Sequence, residues 1–157
     1  MEWDMEKIAV FPGSFDPVTR GHESIIRRAL PLFEKIIVAV GENTEKMSFF
    51  PLETRVKWLH ELFNDEPRIE ICHYSGLTVD FCRNLGANFI LRGLRTSADF
   101  EFERTIGLMN KMMYPGIETV FLLASPEYAA LSSSIVRDII RNGGKADQFV
   151  PEKIKIN

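Results

Sequence analysis

Five short apolar runs alternate along the chain with segments that have helical periodicity. The runs cover residues 7–11, 35–40, 68–73, 88–91 and 119–123. The helix-length segments cover residues 22–33, 52–64, 77–85, 98–113 and 133–142. Such alternation is typical of parallel sheets with right-handed crossovers. We therefore predict a doubly wound, Rossmann-like α/β fold, with a five-stranded parallel sheet and helices on both faces, in a single domain over residues 1–157.

The composition of the runs predicts how each strand is covered. Four runs are apolar along their length, which predicts burial on both faces of the sheet. The third alternates polar and apolar residues, so we expect it at an edge with one face in water. In the first helical segment, Pro31 is expected to end or kink the helix near Leu30, because its ring clashes with a carbonyl one turn back.

The turn between the first strand and the first helix reads FPGSFDPVTRGH, over residues 11–22. A buried strand that breaks at Pro12-Gly13 and enters a helix near Gly21-His22 has the geometry of a nucleotide site. The helix N-terminus offers N–H groups and partial positive charge to a phosphate, and glycine lets the backbone approach it closely. The alternative is an ordinary strand–turn–helix loop with a capping histidine. The stretch is neither a P-loop nor a dinucleotide fingerprint.

Polar residues follow every predicted strand, at the carboxyl end where parallel α/β sheets bind ligands. They lie at residues 13–22, 41–46, 74–78, 92–95 and 125–134. After the fourth strand, Arg92 and Arg95 offer two planar guanidinium groups that match phosphate oxygens. The alternative is ion pairing with the acidic residues Asp99, Glu101 and Glu103. We expect such pairing for one of the two arginines more readily than for both.

Lys46 and a run of serines are further candidates. Lys46 lies in a polar loop of about ten residues, longer than the usual connection, and its sequence context favours a solvated surface lysine over a functional one. Ser132, Ser133 and Ser134 precede the last helix, where one serine suffices as N-cap. The remaining hydroxyls offer a second phosphate position. Arg137, one turn into that helix, is predicted to point toward its start.

Charge and cysteine content exclude several classes of protein. A net charge of −3 and a pI near 5.7 argue against a general nucleic-acid binder. No apolar run approaches the roughly 20 residues of a membrane helix, and the acidic start MEWDMEK lacks the apolar region of a signal peptide, so we expect a cytoplasmic protein without membrane contact. Cys72 and Cys82 are expected to be reduced and buried. Together with His73 they match no zinc spacing, so we predict no protein-bound metal.

Taken together, these motifs resemble the phosphopantetheine adenylyltransferase family of nucleotidyltransferases over nearly the whole chain. The shared motifs are PGSFDPVTRGH near the start, Lys46 before FFPLETR, RGLR running into ADFEFE, and LSSS before VR. The first and last mark the wider superfamily, whereas the block from Arg92 to Glu103 is more specific. Ser14 stands where threonine is common, and Pro51 where a threonine cap is usual. Neither departure touches the chemistry.

The resemblance implies a reaction. Members of this family transfer the adenylyl group of ATP to 4′-phosphopantetheine, giving dephospho-CoA and pyrophosphate, in the penultimate step of coenzyme A synthesis. The resemblance also implies Mg²⁺ that arrives with ATP, a homohexamer, and coenzyme A as a feedback ligand. The residue chemistry agrees. The acceptor phosphate is already an anionic nucleophile, so the reaction needs positioning and electrostatic stabilisation rather than a protein nucleophile.

The resemblance further implies roles for individual residues. His22 is expected to contact the α-phosphate and stabilise the transition state, and the other two catalytic residues, Lys46 and Arg92, to hold the acceptor phosphate. Ser14 is expected to bridge the two substrates, and Thr78 to touch the pantetheine arm. The ATP site is expected to comprise Ser14, Phe15, His22, Gly93, Leu94, Arg95, Glu103, Tyr128, Ala129, Ala130, Leu131, Ser132, Ser133 and Ser134.

Two rival functions stay open at this point. One is another nucleotidyltransferase, acting on glycerol phosphate with CTP or on nicotinate mononucleotide with ATP. The block from Arg92 to Glu103 weighs against it. The other is a regulatory domain that binds ATP and transfers nothing, and the presence of His22, Lys46 and Arg92 weighs against that function.

Overall fold

Five parallel strands alternate with five α-helices in the computed structural model, which describes residues 6–43 and 45–156. The strands are β1 (Ile8–Gly13), β2 (Lys35–Gly41), β3 (Ile69–Tyr74), β4 (Phe89–Leu94) and β5 (Glu118–Leu123), and the helices are α1 (Arg20–Ala29), α2 (Leu52–Leu62), α3 (Thr78–Leu85), α4 (Ser97–Met113) and α5 (Ser133–Arg141). The sheet order is β3-β2-β1-β4-β5. The predicted doubly wound α/β fold is confirmed. The ends of the predicted domain, and Thr44 of the predicted 41–46 loop, lie outside the described residues.

Side chains alternate between the two faces of the sheet, and each face has its own core. On one face Phe11 and Val38 pack with residues of α1, α2 and α5, and on the other Val10 and Ile37 pack with residues of α3. β1 and β2 are therefore covered on both faces, as predicted, and β3 lies at an edge, as its alternating sequence predicted. The prediction of burial on both faces is wrong for β5. That strand is the opposite edge of the sheet, and Leu123 at its end is 71% exposed.

β1 and β4 pair only at Ala9 and Val10, after which the two strands separate. β1 continues over residues 12–13 beside β2, and β4 continues over residues 92–94 beside β5. Both strands thus run farther than predicted, because the neighbouring strand on the other side still offers hydrogen-bond partners. The proline at position 12 is tolerated where the β4 side of β1 is unpaired. The gap between these strands, where strand order reverses, is where this fold class binds ligands.

A capping box starts α1. The Thr19 hydroxyl accepts from the backbone N–H of His22, and Nδ1 of His22 accepts from the backbone N–H of Thr19. Because Thr19 is the N-cap, the helix begins two residues earlier than predicted. It ends before Pro31, which lies in a 3₁₀ turn over Leu30–Leu32. The predicted end of this helix near Leu30 is confirmed.

Residues 146–156 have no regular secondary structure, yet they help to close the core. Val150 and Ile154 are fully buried among the residues that cover β1. Arg20, the first residue of α1, donates from Nε to the carbonyl of Val150 and from its backbone N–H to the carbonyl of Phe149. The segment therefore anchors the start of α1, a role that the sequence alone does not indicate.

Both cysteines are free thiols. Cys82 is buried, as predicted, and burial raises its pKa to about 11. Cys72 is only half-buried, contrary to the prediction, because its strand is an edge of the sheet. Among the helices that the structure describes, none is long and apolar enough to cross a membrane.

Candidate active site

Two cavities flank the carboxyl ends of β1 and β4. The larger, of about 510 Å³, is lined by the ends of these strands and by the starts of α1 and α5. The smaller, of about 230 Å³, is lined by Tyr74, Thr78, Phe102, Ile106, Asn110 and Thr119, among others. Arg92 and Glu103 border both cavities. The two spaces therefore meet at the point where β1 and β4 separate.

His22 lines the larger cavity from the first turn of α1. Its Nδ1 accepts the backbone N–H of Thr19 at 2.9 Å, so the neutral ring carries its proton on Nε2. The ring packs edge-on against Phe15, with the two centroids 5.0 Å apart. Fixed in orientation and tautomer, His22 offers an N–H donor beside the positive end of a helix.

The pKa of His22 is lowered from 6.5 to about 4, mainly by burial and in addition by the positive charges of Arg92 and Arg95. At neutral pH the imidazole is therefore uncharged. A neutral donor beside two cations stabilises negative charge on a ligand without giving up its proton.

Phe15 has a left-handed backbone conformation, with φ at +47°, which is rare for an aromatic residue. Its side chain is buried and lies beside Gly13, where an added Cβ would come within 3.1 Å of the Phe15 ring. Any side chain at position 13 would push Phe15 away and disturb its contact with His22. Such strain is typical of turns that serve a function.

Side chains from distant parts of the chain hold the backbone of the turn after β1. Three guanidinium groups and one hydroxyl donate to four carbonyl oxygens, of which three belong to the turn and one to Pro12 near the end of β1. The pairs are Arg92 to Pro12 at 2.6 Å, Arg55 to Ser14 at 2.7 Å, Arg137 to Asp16 at 2.8 Å, and Ser133 to Pro17 at 2.7 Å. Because each oxygen is engaged by a donor, its partial negative charge is offset beside the cavity.

Arg92 forms a bidentate ion pair with Glu103, whose carboxylate accepts from Nε at 3.0 Å and from Nη2 at 2.6 Å. A second ion pair joins Arg95 to Asp99 at 3.3 Å. The expectation that pairing would hold for only one arginine is thus wrong. The reason is that Asp99 and Glu103 lie one turn apart on the same face of α4, which brings both carboxylates to the end of β4.

Most residues of the predicted ATP site line the larger cavity. Those that do are Ser14, Phe15, His22, Gly93, Arg95, Glu103, Tyr128, Leu131, Ser132, Ser133 and Ser134. Leu94, Ala129 and Ala130 do not line it, and Leu94 is buried in β4.

The structure separates the residues predicted for the acceptor. Arg92 borders both cavities, and Thr78 lines the smaller one, with its hydroxyl 2.8 Å from the hydroxyl of Tyr74. Lys46 lines neither cavity, because it is exposed in the loop between β2 and α2. The solvated state that its sequence context favours is the one that the structure has.

The three serines before α5 have three different partners. The Ser132 hydroxyl accepts a backbone N–H of the first turn, as the predicted N-cap. Ser133 donates to the carbonyl of Pro17, and the Ser134 hydroxyl accepts from Arg137 at 3.1 Å. Capping therefore explains one serine, and the other two connect α5 with the turn after β1 and with Arg137.

Thr19 and Arg55 support the site, and sequence reasoning missed both. The spacing Thr-x-x-His is that of a capping box and is the signal that could have indicated Thr19. Arg55 ends the shared FFPLETR motif, but no local signal indicates its role, because its acceptors on Ser14, Ser48 and Phe50 are brought together only by the fold.

The polar groups around the larger cavity are mainly cations and neutral donors, such as Arg95, Arg137, His22 and the three serines. This donor set fits phosphate oxygens. Within the described ranges, no group of three or more His, Cys, Asp or Glu side chains is placed to hold a metal ion.

The chain resembles known proteins over most of its length. A cytidylyltransferase-like family model matches residues 10–139. The phosphopantetheine adenylyltransferase of Flavobacterium psychrophilum is 53% identical over 148 residues, which is 94% of this chain and 97% of that protein. That of Flavobacterium johnsoniae is 49% identical with the same coverage. That of Cytophaga hutchinsonii is 45% identical over 150 residues, which is 96% of this chain and 100% of that protein. The chain therefore belongs to the cytidylyltransferase-like family and, within it, to the phosphopantetheine adenylyltransferases, which are nucleotidyltransferase enzymes.

Proposed function

We propose that the enzyme transfers the adenylyl group of ATP to 4′-phosphopantetheine, giving dephospho-CoA and pyrophosphate, in the penultimate step of coenzyme A synthesis. The observation that carries the proposal is His22, a neutral Nε2–H donor fixed at a helix N-terminus in an arginine-lined cavity. The names of the curated relatives support the choice of substrates.

The transfer is a direct in-line displacement at the α-phosphorus of ATP. An oxygen of the acceptor phosphate forms a bond to that phosphorus. The bond to the oxygen that bridges the α- and β-phosphates breaks, and pyrophosphate leaves with the electron pair. The acceptor oxygen is already anionic, so no protein nucleophile and no covalent enzyme intermediate take part. His22 donates from Nε2 to an α-phosphate oxygen and stabilises the charge that develops there.

The two cavities suggest where each substrate lies. ATP occupies the larger cavity, where the helix starts and serine hydroxyls meet its phosphates. The pantetheine arm occupies the smaller cavity beside Thr78, Phe102 and Ile106, which offer it one hydroxyl and apolar walls. Arg92 borders both spaces and holds the acceptor phosphate between them, and Ser14 bridges the two substrates.

Lys46 is proposed as a second ligand of the acceptor phosphate. Since its side chain is exposed and lines neither cavity, this role requires the side chain to reorient when the substrates bind. A lysine has a long flexible stem and a compact charge that suit such a movement.

We further propose that Mg²⁺ enters bound to the phosphates of ATP rather than in a protein site, as is usual for this ion. When bound, it offsets the negative charge of those phosphates. We also propose a cytoplasmic homohexamer with coenzyme A as a feedback ligand. The exposed apolar side chains of α4, among them Leu108 and Met112, support self-association.

The test is pyrophosphate release from Mg·ATP with 4′-phosphopantetheine as acceptor. Glycerol 3-phosphate and nicotinate mononucleotide are offered in parallel, and CTP replaces ATP in a second series. We expect release only with ATP and 4′-phosphopantetheine. Release with another pair would contradict the proposed substrates, and ATP binding without release from any pair would contradict the transferase reaction itself.

A further inference from the structure

Arg55 is a buried cation whose hydrogen-bond acceptors are all uncharged. It lies in α2 and is 5% exposed. Nε donates to the carbonyl of Phe50 at 3.0 Å, Nη1 to the carbonyl of Ser14 at 2.7 Å, and Nη2 to the hydroxyl of Ser48 at 3.1 Å. Burying a guanidinium is costly, and an apolar side chain would fill the same space at lower cost. The position therefore calls for a role beyond packing.

Asp16 complements Arg55 from the other side of the same segment. Its carboxylate is buried and accepts the backbone N–H groups of Phe49 at 2.7 Å and Phe50 at 2.8 Å. Arg55 holds the carbonyl of Phe50, so two backbone N–H groups and one carbonyl of residues 48–50 are bound. One segment of the β2–α2 loop is thus fixed against the turn after β1.

The turn after β1 and residues 48–50 each carry or adjoin residues of the proposed reaction. The turn after β1 carries Ser14, which lines the larger cavity, and Phe15, which packs against His22. Residues 48–50 end the loop that carries Lys46, two positions before Ser48. Arg55 donates to both segments and is absent from the lining of either cavity.

We propose that Arg55 is a positioning residue for the adenylyl transfer. Its guanidinium fork holds the turn with Ser14 and the loop with Lys46 in one fixed relation, so that both segments meet the acceptor phosphate. The inference rests on the proposed function. The role of Arg55 requires the planar guanidinium group and not its charge alone, because a lysine ammonium cannot donate to three acceptors in this planar arrangement.

The kinetic test uses the full chain with Arg55→Lys and Arg55→Met. In both variants we expect kcat/KM for 4′-phosphopantetheine to fall about 10- to 100-fold, because small misplacements of binding groups have effects of that size. The loss is expected mainly in KM for the acceptor. The dissociation constant of ATP, measured by calorimetry without acceptor, is expected to change less than about threefold, because most residues of its site lie on α1, β4 and the start of α5, outside the turn that Arg55 holds.

Arg68→Met is the matched control. Nη1 of Arg68 donates to the carbonyls of Leu30 and Phe33 at the opposite end of the sheet. The variant removes the same kind of contact, from an arginine to backbone carbonyls, far from both cavities. We expect its kinetic constants to equal those of the unmodified protein.

A second measurement does not depend on activity. Amide hydrogen exchange at Phe49 and Phe50 reports whether residues 48–50 stay fixed on the turn. We expect exchange there to be at least about tenfold faster in both Arg55 variants, while the amide of Leu59 in the middle of α2 keeps its protection. If the unmodified enzyme released no pyrophosphate with 4′-phosphopantetheine, the proposed function would fail and this measurement would still decide the role of Arg55 as a clamp.

Three results would overturn the inference. The first is full acceptor kinetics in Arg55→Lys, since charge alone would then suffice. The second is an equal loss for ATP and acceptor that follows global stability, which is what a purely structural residue gives. The third is unchanged exchange at Phe49 and Phe50.

Discussion

One imidazole ring at the start of α1 serves both the helix and the cavity. Nδ1 of His22 completes the capping box with Thr19, and the proton on Nε2 is left for a ligand. The helix cap therefore decides the tautomer of the group that we assign to the transition state. A sequence motif identifies this histidine, but only the hydrogen bond to Thr19 defines which nitrogen acts.

Replacing His22 by Gln or Ala separates the two uses of the ring. Gln is a standard third residue of a capping box and should retain the cap, whereas Ala should lose about 1 kcal/mol of unfolding free energy. We expect kcat to fall at least about 100-fold in both variants, since the transition-state donor is absent in Ala and displaced from the position of Nε2 in Gln, with a far smaller change in ATP affinity. Steady-state kinetics, calorimetry and urea unfolding measure the three quantities. A collapse of ATP affinity with kcat near normal would contradict the assignment.

The low pKa of His22 makes the stability of the protein depend on pH in a definite direction. The pKa of His22 is about 4 in the folded protein, whereas the ordinary value of 6.5 applies to the unfolded chain. Between pH 4 and pH 6.5 the ring is therefore protonated in the unfolded chain and neutral in the folded protein. Stability from this group is complete above about pH 6.5 and is lost as the pH falls toward 4. Between about pH 7 and pH 5 we expect a loss of about 2 kcal/mol in urea unfolding that His22→Gln does not share.

The control for that prediction is spectroscopic. The chain has three histidines, so the double variant His60→Asn with His73→Asn leaves His22 as the single imidazole. Long-range ¹H–¹⁵N spectra should then report one neutral ring protonated at Nε2 down to about pH 5. A spectrum of a charged ring near neutral pH would rule out both the tautomer and the direction of the pH dependence.

At the scale of elements, α1 lies close on β4 because Gly93 has no side chain. A Cβ on Gly93 would meet Cγ1 of Ile25 at 3.1 Å and its Cδ1 at 3.3 Å. Ile25 is buried and lies three residues after His22, on the same face of the helix. The glycine of the Arg-Gly-x-Arg motif thus sets the distance between the strand and the helix that carries His22.

Gly93→Ala is therefore expected to affect both stability and turnover. Overpacking at Ile25 should cost about 1–3 kcal/mol and shift the start of α1, so kcat should fall together with the unfolding free energy. Combining the variant with Ile25→Val, which frees a methyl group, should recover part of both losses. Normal turnover in Gly93→Ala would mean that the close approach has no bearing on catalysis.

Gly86→Ala gives a loss of stability at an element end without a loss of activity. Gly86 ends α3 at φ +70°, and no atom lies within 4 Å of an added Cβ. The cost is therefore backbone strain alone, about 1 kcal/mol. Urea unfolding should detect it, and kcat should equal that of the unmodified enzyme because α3 ends far from His22. An unchanged free energy of unfolding would show that the backbone at the end of α3 accommodates alanine without strain.

The sequence predicted the elements well because continuous apolar runs and Pro31 act locally. It failed at the strand ends. Arg92 and Gly93 look like a turn but belong to β4, since β5 still pairs with them there. Residues 146–156 carry no periodic pattern, so their place in the core could not be read from the chain. Pairing partners and the cover over a strand are tertiary properties, and local patterns do not encode them.

At the scale of the whole molecule, several large apolar side chains of α4 and β5 are exposed. Leu108 and Met112 on α4 are 52% and 75% exposed, and Leu123 at the end of β5 is 71% exposed. Light scattering should show a hexamer for the unmodified chain if α4 forms the proposed contact between subunits. Leu108→Glu with Met112→Glu should dissociate it, because charges placed in a dry interface are costly.

The control is Leu85→Glu on α3, which adds a charge at a side chain that is 39% exposed on another element. It should leave the assembly unchanged. A monomeric unmodified chain, or a double variant that stays assembled, would contradict the proposed role of α4.

Motifs indicated most of the residues that line the larger cavity. His22, Arg92 and the three serines belong to motifs with recognisable spacings. These motifs lie at or after strands that all end at one edge of the sheet. The place of Arg55 could not be predicted, since its acceptors lie on separate segments that only the fold brings together. The pairing of Arg95 with Asp99, four residues away, was an alternative that the sequence left open. The exposed state of Lys46 was favoured by its own neighbours in sequence, which shows that local context and motif resemblance can disagree.

The burial of residues 146–156 also bears on when the enzyme can become complete during its synthesis. Val150 and Ile154 share one core cluster with Phe11 of β1, so this part of the core is completed only by residues that are made long after that strand. Until both residues have left the ribosome, Phe11 and its neighbours lack part of their cover and offer an apolar surface to chaperones. Arg20 likewise lacks its carbonyl partners until then. A nascent chain still tethered near residue 150 should therefore hold the start of α1 loosely, and adenylyl transfer should begin only after that segment is free.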